Sequence, residues 1–234
     1  SLTDLLAEPS VARVKLGDAV KDGRPAARWR GFNLLDLVSW EKDRAPAYRE
    51  EDFRLLHDWG FNFVRLPTDY RWFADAAGLK AIDDALAFGR RYGIHVQLCL
   101  HRLPGYCSGG RLAGEKDLFT DEEPLRDACA LWRMFAARYR GVPNEALSFN
   151  LFNEPLYMEE ADYARVARAL VAAIRAEDAD RFVLADGLGY GRIAPMTLAG
   201  EKGLGFGWHC YDPFFVTHHR TPWNDPDSVK ERSE

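Results

Sequence analysis

The sequence predicts an α/β fold with a parallel sheet, of the (β/α)8 or TIM-barrel type, with about six βα units in these residues. Three observations carry this. Short apolar runs recur along the chain, strand-length and poorly alternating, as parallel strands buried on both faces read. Amphipathic segments with helical spacing lie between them. Polar and aromatic residues follow nearly every apolar run (Asn33 and Asp36, Arg65, His101, Asn153 and Glu154, Asp186, His209 and Tyr211). A barrel gathers chemistry at the C-terminal ends of many strands, whereas an open doubly wound sheet concentrates it at one or two switch points.

In order, the expected strands are Trp29 to Leu35, Phe61 to Leu66, Ile94 to Leu100, Ala146 to Phe152, Phe182 to Ala185 and Leu204 to Cys210. Ile82, Ala85, Leu86 and Gly89 share one helical face, as do Leu125, Ala128, Trp132, Phe135, Ala136 and Tyr139. Tyr163, Val166, Ala167, Leu170, Val171 and Ile174 make a third. Trp59 and Trp132 fall on helix faces and are expected in the core. Residues 1–28 read as an N-terminal arm packing on the barrel, 29–220 as the barrel domain, and 221–234 as a polar tail or truncated loop. Two further βα units would need roughly 70 residues, so the chain reads as a barrel that stops early.

At 234 residues and 47% hydrophobic, the chain can build one sizeable core. Asp and Glu outnumber Lys and Arg 36 to 31, for a net charge of −5, which argues against a nucleic-acid partner because counterion release needs clustered positive charge. The longest stretch free of charged residues runs from Tyr92 to His101, too short for a membrane span of about 18 apolar residues. Cys99, Cys107, Cys129 and Cys210 contain no C-x-x-C pair and no disulfide framework; Cys99 and Cys210, in apolar runs, are expected to be small buried thiols. The chain begins at Ser1 with no signal-like segment, and the sequence assigns no compartment.

The strongest local signal is Leu147-Ser148-Phe149-Asn150-Leu151-Phe152-Asn153-Glu154-Pro155. A buried strand ends in Asn-Glu, and the proline biases Glu154 away from helical geometry. A carboxyl half-buried at the strand mouth is expected to have a raised pKa, suited to a general acid at neutral pH. The plainer reading is a glutamate near the start of the helix at Glu159, favoured by the helix dipole.

Asn-Glu-Pro after an apolar strand resembles the acid/base motif of glycoside hydrolase family 5, the cellulase family of retaining barrel hydrolases. Arg30-Gly31-Phe32-Asn33-Leu34 is similar to the family's first-strand motif, and Gly60-Phe61-Asn62-Phe63-Val64-Arg65-Leu66-Pro67 to its second. Gly93 through His101, followed by Pro104-Gly105, resembles the third; Ala185-Asp186-Gly187 fits the fifth; His209-Cys210-Tyr211-Asp212-Pro213, with Thr217-His218 beyond it, resembles the sixth. The resemblance covers residues 30 to about 220 in the family's order.

The resemblance implies hydrolysis of the β-glycosidic bonds of a β-glucan or related polysaccharide by retaining double displacement, with Glu154 as acid/base. It implies that Arg65 positions the catalytic carboxylates, Asn153 bonds the sugar 2-hydroxyl, His101 and His209 line the catalytic subsite, Tyr211 bonds the nucleophile, and Asn33 belongs to the substrate cleft. The family's nucleophile is a glutamate at the end of strand seven, followed by a sugar-stacking tryptophan after strand eight. Neither has a counterpart here: the only glutamates after Tyr211 are Glu231 and Glu234, in a charged tail. An inverting variant, with carboxyls ~6.5–9.5 Å apart, would have to draw on Asp186 or Asp212 and is disfavoured. The competing expectations are a non-catalytic carbohydrate-binding partial barrel and a fragment completed by another chain or a second copy.

Trp40, Trp72 and Trp223 lie in post-strand loops, where an indole can stack on a pyranose face or pack internally. Gly187-Leu188-Gly189-Tyr190-Gly191 has G-x-G-x-G spacing rather than that of a dinucleotide loop, and reads as a tight loop beside the cleft. His218-His219 lacks a third ligand. No cofactor and no metal are expected; the expected partner is a polysaccharide or oligosaccharide substrate.

Overall fold

The computed structural model describes residues 28–219 and 221, which form one sheet backed by helices. Six parallel strands lie side by side in chain order: β1 (Gly31–Asn33), β2 (Phe63–Asp69), β3 (His95–Leu103), β5 (Leu147–Asn150), β6 (Val183–Asp186) and β7 (Leu204–Gly207). A two-residue strand, β4 (Tyr106–Cys107), folds back antiparallel on the end of β3. The order never reverses, so the sheet has no switch point of the doubly wound kind and follows the barrel arrangement. Among the described residues no strand joins β1 to β7. The arm expected over 1–28 and the tail over 221–234, with Trp223, lie outside the described residues apart from Arg28 and Thr221.

All six expected strands are present. The first is shorter than the apolar run, and its three residues are exposed. The third runs on to Leu103, because β4 pairs Leu103 with Tyr106 and Arg102 with Cys107. The last stops at Gly207, so Cys210, expected as a buried thiol, is exposed; Cys99 is fully buried as expected.

Four long helices connect the strands: α1 (Glu50–Asp58), α2 (Ala76–Tyr92), α3 (Glu122–Arg138) and α4 (Glu160–Arg175). α1 buries only Phe53 and Leu56, too few positions to show a period in the sequence. It ends at Asp58, so Trp59 leaves the packed face and stands 66% exposed, where the sequence reading placed it in the core. Trp132 on α3 is fully buried.

The helices also fix the strand ends that carry the polar residues. Trp132 Nε1 donates to the Leu151 carbonyl at 3.1 Å, directly after β5. The Tyr163 hydroxyl of α4 donates to the Asp186 carbonyl at 2.6 Å, at the end of β6. Arg181, 2% exposed, donates to the carbonyls of Leu147, Tyr139 and Val142 and to the Asp178 carboxylate, tying the start of β5 to the turn before β6.

Candidate active site

Arg65 within β2 and the polar residues at or just beyond the ends of β5, β6 and β7 gather around Glu154. Asn153 and Glu154 follow β5 in a loop whose backbone is gripped from two sides. The Glu154 N–H donates to Asp186 Oδ2 at 3.1 Å, and its carbonyl accepts from the Tyr106 hydroxyl at 2.7 Å. Between these anchors Glu154 takes φ 49°, a left-handed conformation, instead of the extended geometry expected before proline. A non-glycine residue in that region carries about 1–3 kcal/mol of strain and persists only where its surroundings over-determine it.

The Glu154 side chain is 16% exposed, and its Oε1 accepts from the Tyr211 hydroxyl and from His209 Nδ1 at 2.9 Å. On the other edge of the His209 ring, Nε2 lies 3.0 Å from Asp186 Oδ2. Both ring nitrogens therefore face carboxylate oxygens, and both bonds are made only by the protonated imidazolium. Burial lowers the His209 pKa, but the hydrogen bonds to Asp186 and Glu154 outweigh it and lift the pKa to about 9. For Glu154, burial pushes upward, while the hydrogen bonds from His209 and Tyr211 and the His209 charge leave the carboxyl below its ordinary range. This corrects the raised pKa expected from the sequence: burial acts as anticipated, but two donors, one of them the His209 cation, reverse its effect. The phenol of Tyr211 is pushed well up by burial and by its bond to Glu154, and stays a donor.

Behind this group, Arg65 of β2 reaches Asn150 Oδ1 with both Nε (2.9 Å) and Nη2 (2.7 Å). Its Nη2 also lies 2.9 Å from Asn153 Oδ1 and 3.0 Å from Cys99 Sγ, a thiol that burial pushes up to about 12. The nearest carboxylate to Arg65 is Asp186, at 3.6 Å. Arg65 thus touches the amides beside Glu154 rather than Glu154 itself.

His101, on β3, has a buried Nδ1 with no hydrogen-bond partner, and burial, with Arg65 nearby, lowers its pKa. Asn153 Nδ2 donates to Ser108 Oγ at 3.3 Å. Asn33 ends β1 in register with Arg65 and is exposed. Trp40, 36% exposed, packs on Trp72 with centroids 6.4 Å apart, and the Arg44 guanidinium covers the Trp72 ring at 5.0 Å. Trp72 is only 4% exposed and internal; Trp40 is the more accessible of the two, with the Arg71 guanidinium over its ring at 5.2 Å.

Asp186 is one of the two residues on which an inverting pair would have to draw. Its Oδ1 accepts from Asn150 Nδ2 at 2.9 Å, and its Oδ2 faces Glu154 N–H, His209 and Arg65, so both oxygens are occupied by the protein. Asp212 is exposed. Asn150 carries no motif of its own; its signal in the sequence is a lone amide inside the apolar run Leu147 to Phe152. Among the described residues no cluster of His, Cys, Asp or Glu is arranged to hold a metal ion.

Comparison with known proteins gives a consistent result. The family model described as Cellulase (glycosyl hydrolase family 5) matches residues 19–234. Endoglucanase C of Acetivibrio thermocellus is 28% identical over 221 residues, covering 87% of this chain and 63% of its own length. Cellodextrinase A of Ruminococcus flavefaciens is 25% identical over 217 residues, covering 86% and 63%. The chain therefore spans less than two thirds of these curated relatives. A crystal structure of a glycoside hydrolase superposes with TM-score 0.79 at 35% identity, covering 84% of this chain and 65% of the other. Endoglucanase Cel5A from Thermotoga maritima, at 23% identity and TM-score 0.68, covers 86% and 66% and shares the fold.

Proposed function

The chain belongs to glycosyl hydrolase family 5, and from that premise we propose that it carries the acid/base half of a retaining β-glycosidase acting on a β-glucan or related polysaccharide. The observation that supports this most is Glu154, held beyond the end of β5 by His209 and Tyr211 with 16% of its side chain exposed. In this reading Glu154 protonates the leaving oxygen and then, as carboxylate, activates the water that completes turnover. Asn153 bonds the sugar 2-hydroxyl, His101 and His209 line the subsite of the bond being cut, Arg65 holds the amides, and Asn33 and Trp40 contribute to the cleft. The Thermotoga maritima Cel5A structures in complex with cellobiose and with mannotriose make β-linked glucose or mannose polymers the first substrates to try.

Retention needs a second carboxyl about 5 Å from the first. Asp186 is engaged on both oxygens, so the nucleophile is assigned to residues outside the described ones, in the same polypeptide or in a completing chain. A second reading, supported by the same occupancy of Asp186, is that these 234 residues alone bind oligosaccharide without turnover.

The test is release of reducing sugar from barley β-glucan and from mannan by the whole protein, with Glu154→Gln beside it. The variant is expected to lose about 10²–10⁴-fold on these unactivated polymers. Wild-type rates in Glu154→Gln would overturn the assignment. Calorimetric titration of cello-oligosaccharides into the 234-residue chain, with product analysis, separates binding from turnover.

A further inference from the structure

Asp186 is the most buried acid of the cluster, with 3% of its side chain exposed, and the proposed function gives it no chemical part. We infer that Asp186 is a positioning residue for the acid/base: from behind, it locks the His209 ring and the Glu154 backbone together, so that the Glu154 carboxyl is presented in one place with one protonated partner. The inference rests on Glu154 being the acid/base.

The contacts form a closed ring. One oxygen, Asp186 Oδ2, takes the Glu154 N–H at 3.1 Å and His209 Nε2 at 3.0 Å, and the ring closes in front through His209 Nδ1 and Glu154 Oε1 at 2.9 Å. The other oxygen is tied to Asn150 at 2.9 Å, and the Asp186 carbonyl is held by Tyr163 at 2.6 Å. Asp186 is therefore fixed independently of the groups it holds. Its grip on the Glu154 N–H is one of the two contacts that maintain the strained φ of 49°.

The neighbouring strand is shaped for this arrangement. Gly207 lies opposite Asp186 in the β6–β7 register, and a Cβ there would meet Asp186 Oδ1 at 2.5 Å. Gly191, at φ 83°, lies under the His209 ring, where a Cβ would come within 2.7 Å. Only glycine leaves room for the carboxylate at the one place and for the imidazole at the other.

The charged and titratable groups facing His209 are Asp186 from β6, Glu154 from the loop after β5, Arg65 from β2, which opposes protonation, and the Tyr211 hydroxyl at 3.4 Å from Nδ1. With two carboxylates in contact and one cation farther back, the ring is held as imidazolium, lifted to about 9.

The experiment is a pH titration of the ¹⁵N-histidine-labelled chain by long-range ¹H–¹⁵N correlation over roughly pH 5.5–10, with His209 assigned by the signal lost in His209→Gln. The wild-type midpoint is expected near 9. Asp186→Asn is expected to lower it by about one pH unit or more, because the amide removes the negative charge at Nε2. Glu154→Gln is expected to leave it above 6.5, since Asp186 still holds the ring. An unchanged midpoint in Asp186→Asn would overturn the inference, and so would a return to 6.5 in Glu154→Gln, the arm that decides if Asp186→Asn does not fold. The readout needs no turnover. A failure here leaves the hydrolase reading to its own assay, and inactivity of the whole protein leaves this result standing.

Discussion

Mild acid is expected to weaken the fold through His95. The ring is 3% exposed on β3, with Nδ1 donating to the Glu145 carbonyl at 2.9 Å and Nε2 accepting from the Ser148 hydroxyl at 2.8 Å. It stacks on Trp29 with centroids 3.8 Å apart. Burial pulls its pKa from 6.5 down to about 4, and the Glu145 carbonyl offsets only part of that. The unfolded chain takes up a proton near pH 6.5 while the folded chain waits until about 4, so over that interval the unfolded state binds more protons and stability is lost as the pH is lowered. A gap of about 2.5 pH units at 1.36 kcal/mol per unit comes to about 3 kcal/mol, of which about 2 kcal/mol is lost by pH 5. For a domain of this size that lowers Tm by about 4–8 °C. Thermal unfolding followed by circular dichroism at pH 7 and pH 5, on wild type and His95→Gln, isolates the effect. Glutamine can bond Ser148 but does not titrate, and His101, whose pKa burial also lowers, contributes to both proteins and cancels. A variant whose Tm falls as far as that of wild type between the two pH values would refute the reasoning.

Two further perturbations have stated outcomes. Gly191→Ala puts a Cβ within 2.7 Å of the His209 ring at a residue with φ 83°; it is expected to cost roughly 1–2 kcal/mol from the left-handed conformation alone and to shift the His209 midpoint, read by melting and by the same histidine titration. Arg181→Ala leaves the carbonyls of Leu147, Tyr139 and Val142 and the Asp178 carboxylate without their donor, so a loss of about 3–5 kcal/mol is expected in urea unfolding, and one under about 1 kcal/mol would contradict the role given to it.

The centre of the sheet was legible because β2, β3, β5 and β6 are mostly buried and therefore read as apolar runs. β4 was not, since two residues carry no period, and neither was α1, with two buried positions. The Asn-Glu-Pro motif put Glu154 just beyond a buried strand, where the structure has it after β5, but gave neither its backbone conformation nor its charge. Those depend on Asp186, 32 residues away, and on His209, 55 residues away, and no local pattern encodes either contact. Tyr211 shows the same limit: the resemblance pointed its hydroxyl at a nucleophile, and in these residues it bonds Glu154. Trp40 and Trp72 look alike in sequence and each has a guanidinium over its ring; what separates them is burial, 36% against 4% exposed, which only the packing decides.

The resting charges explain how a lowered Glu154 pKa fits an acid/base role. The cluster holds two cations, Arg65 and His209, and two carboxylates, Asp186 and Glu154, and is neutral as a unit. Cys99 and Tyr211 stay uncharged, since burial pushes both pKa values up. A third carboxylate placed about 5 Å from Glu154, as retention requires, would leave one uncompensated negative charge in a half-buried site. Like-charge repulsion then favours uptake of one proton by the group with least to lose. Asp186 is held by the Asn150 amide, the Glu154 N–H, His209 and Arg65, whereas Glu154 is more exposed and is held through Oε1 alone. The incoming carboxylate would also compete for the Tyr211 hydroxyl, removing one of the bonds that lower the Glu154 pKa. On the proposed reading the proton would therefore go to Glu154, and the side chain that rests as a carboxylate in these residues would become the acid once the second carboxylate is in place.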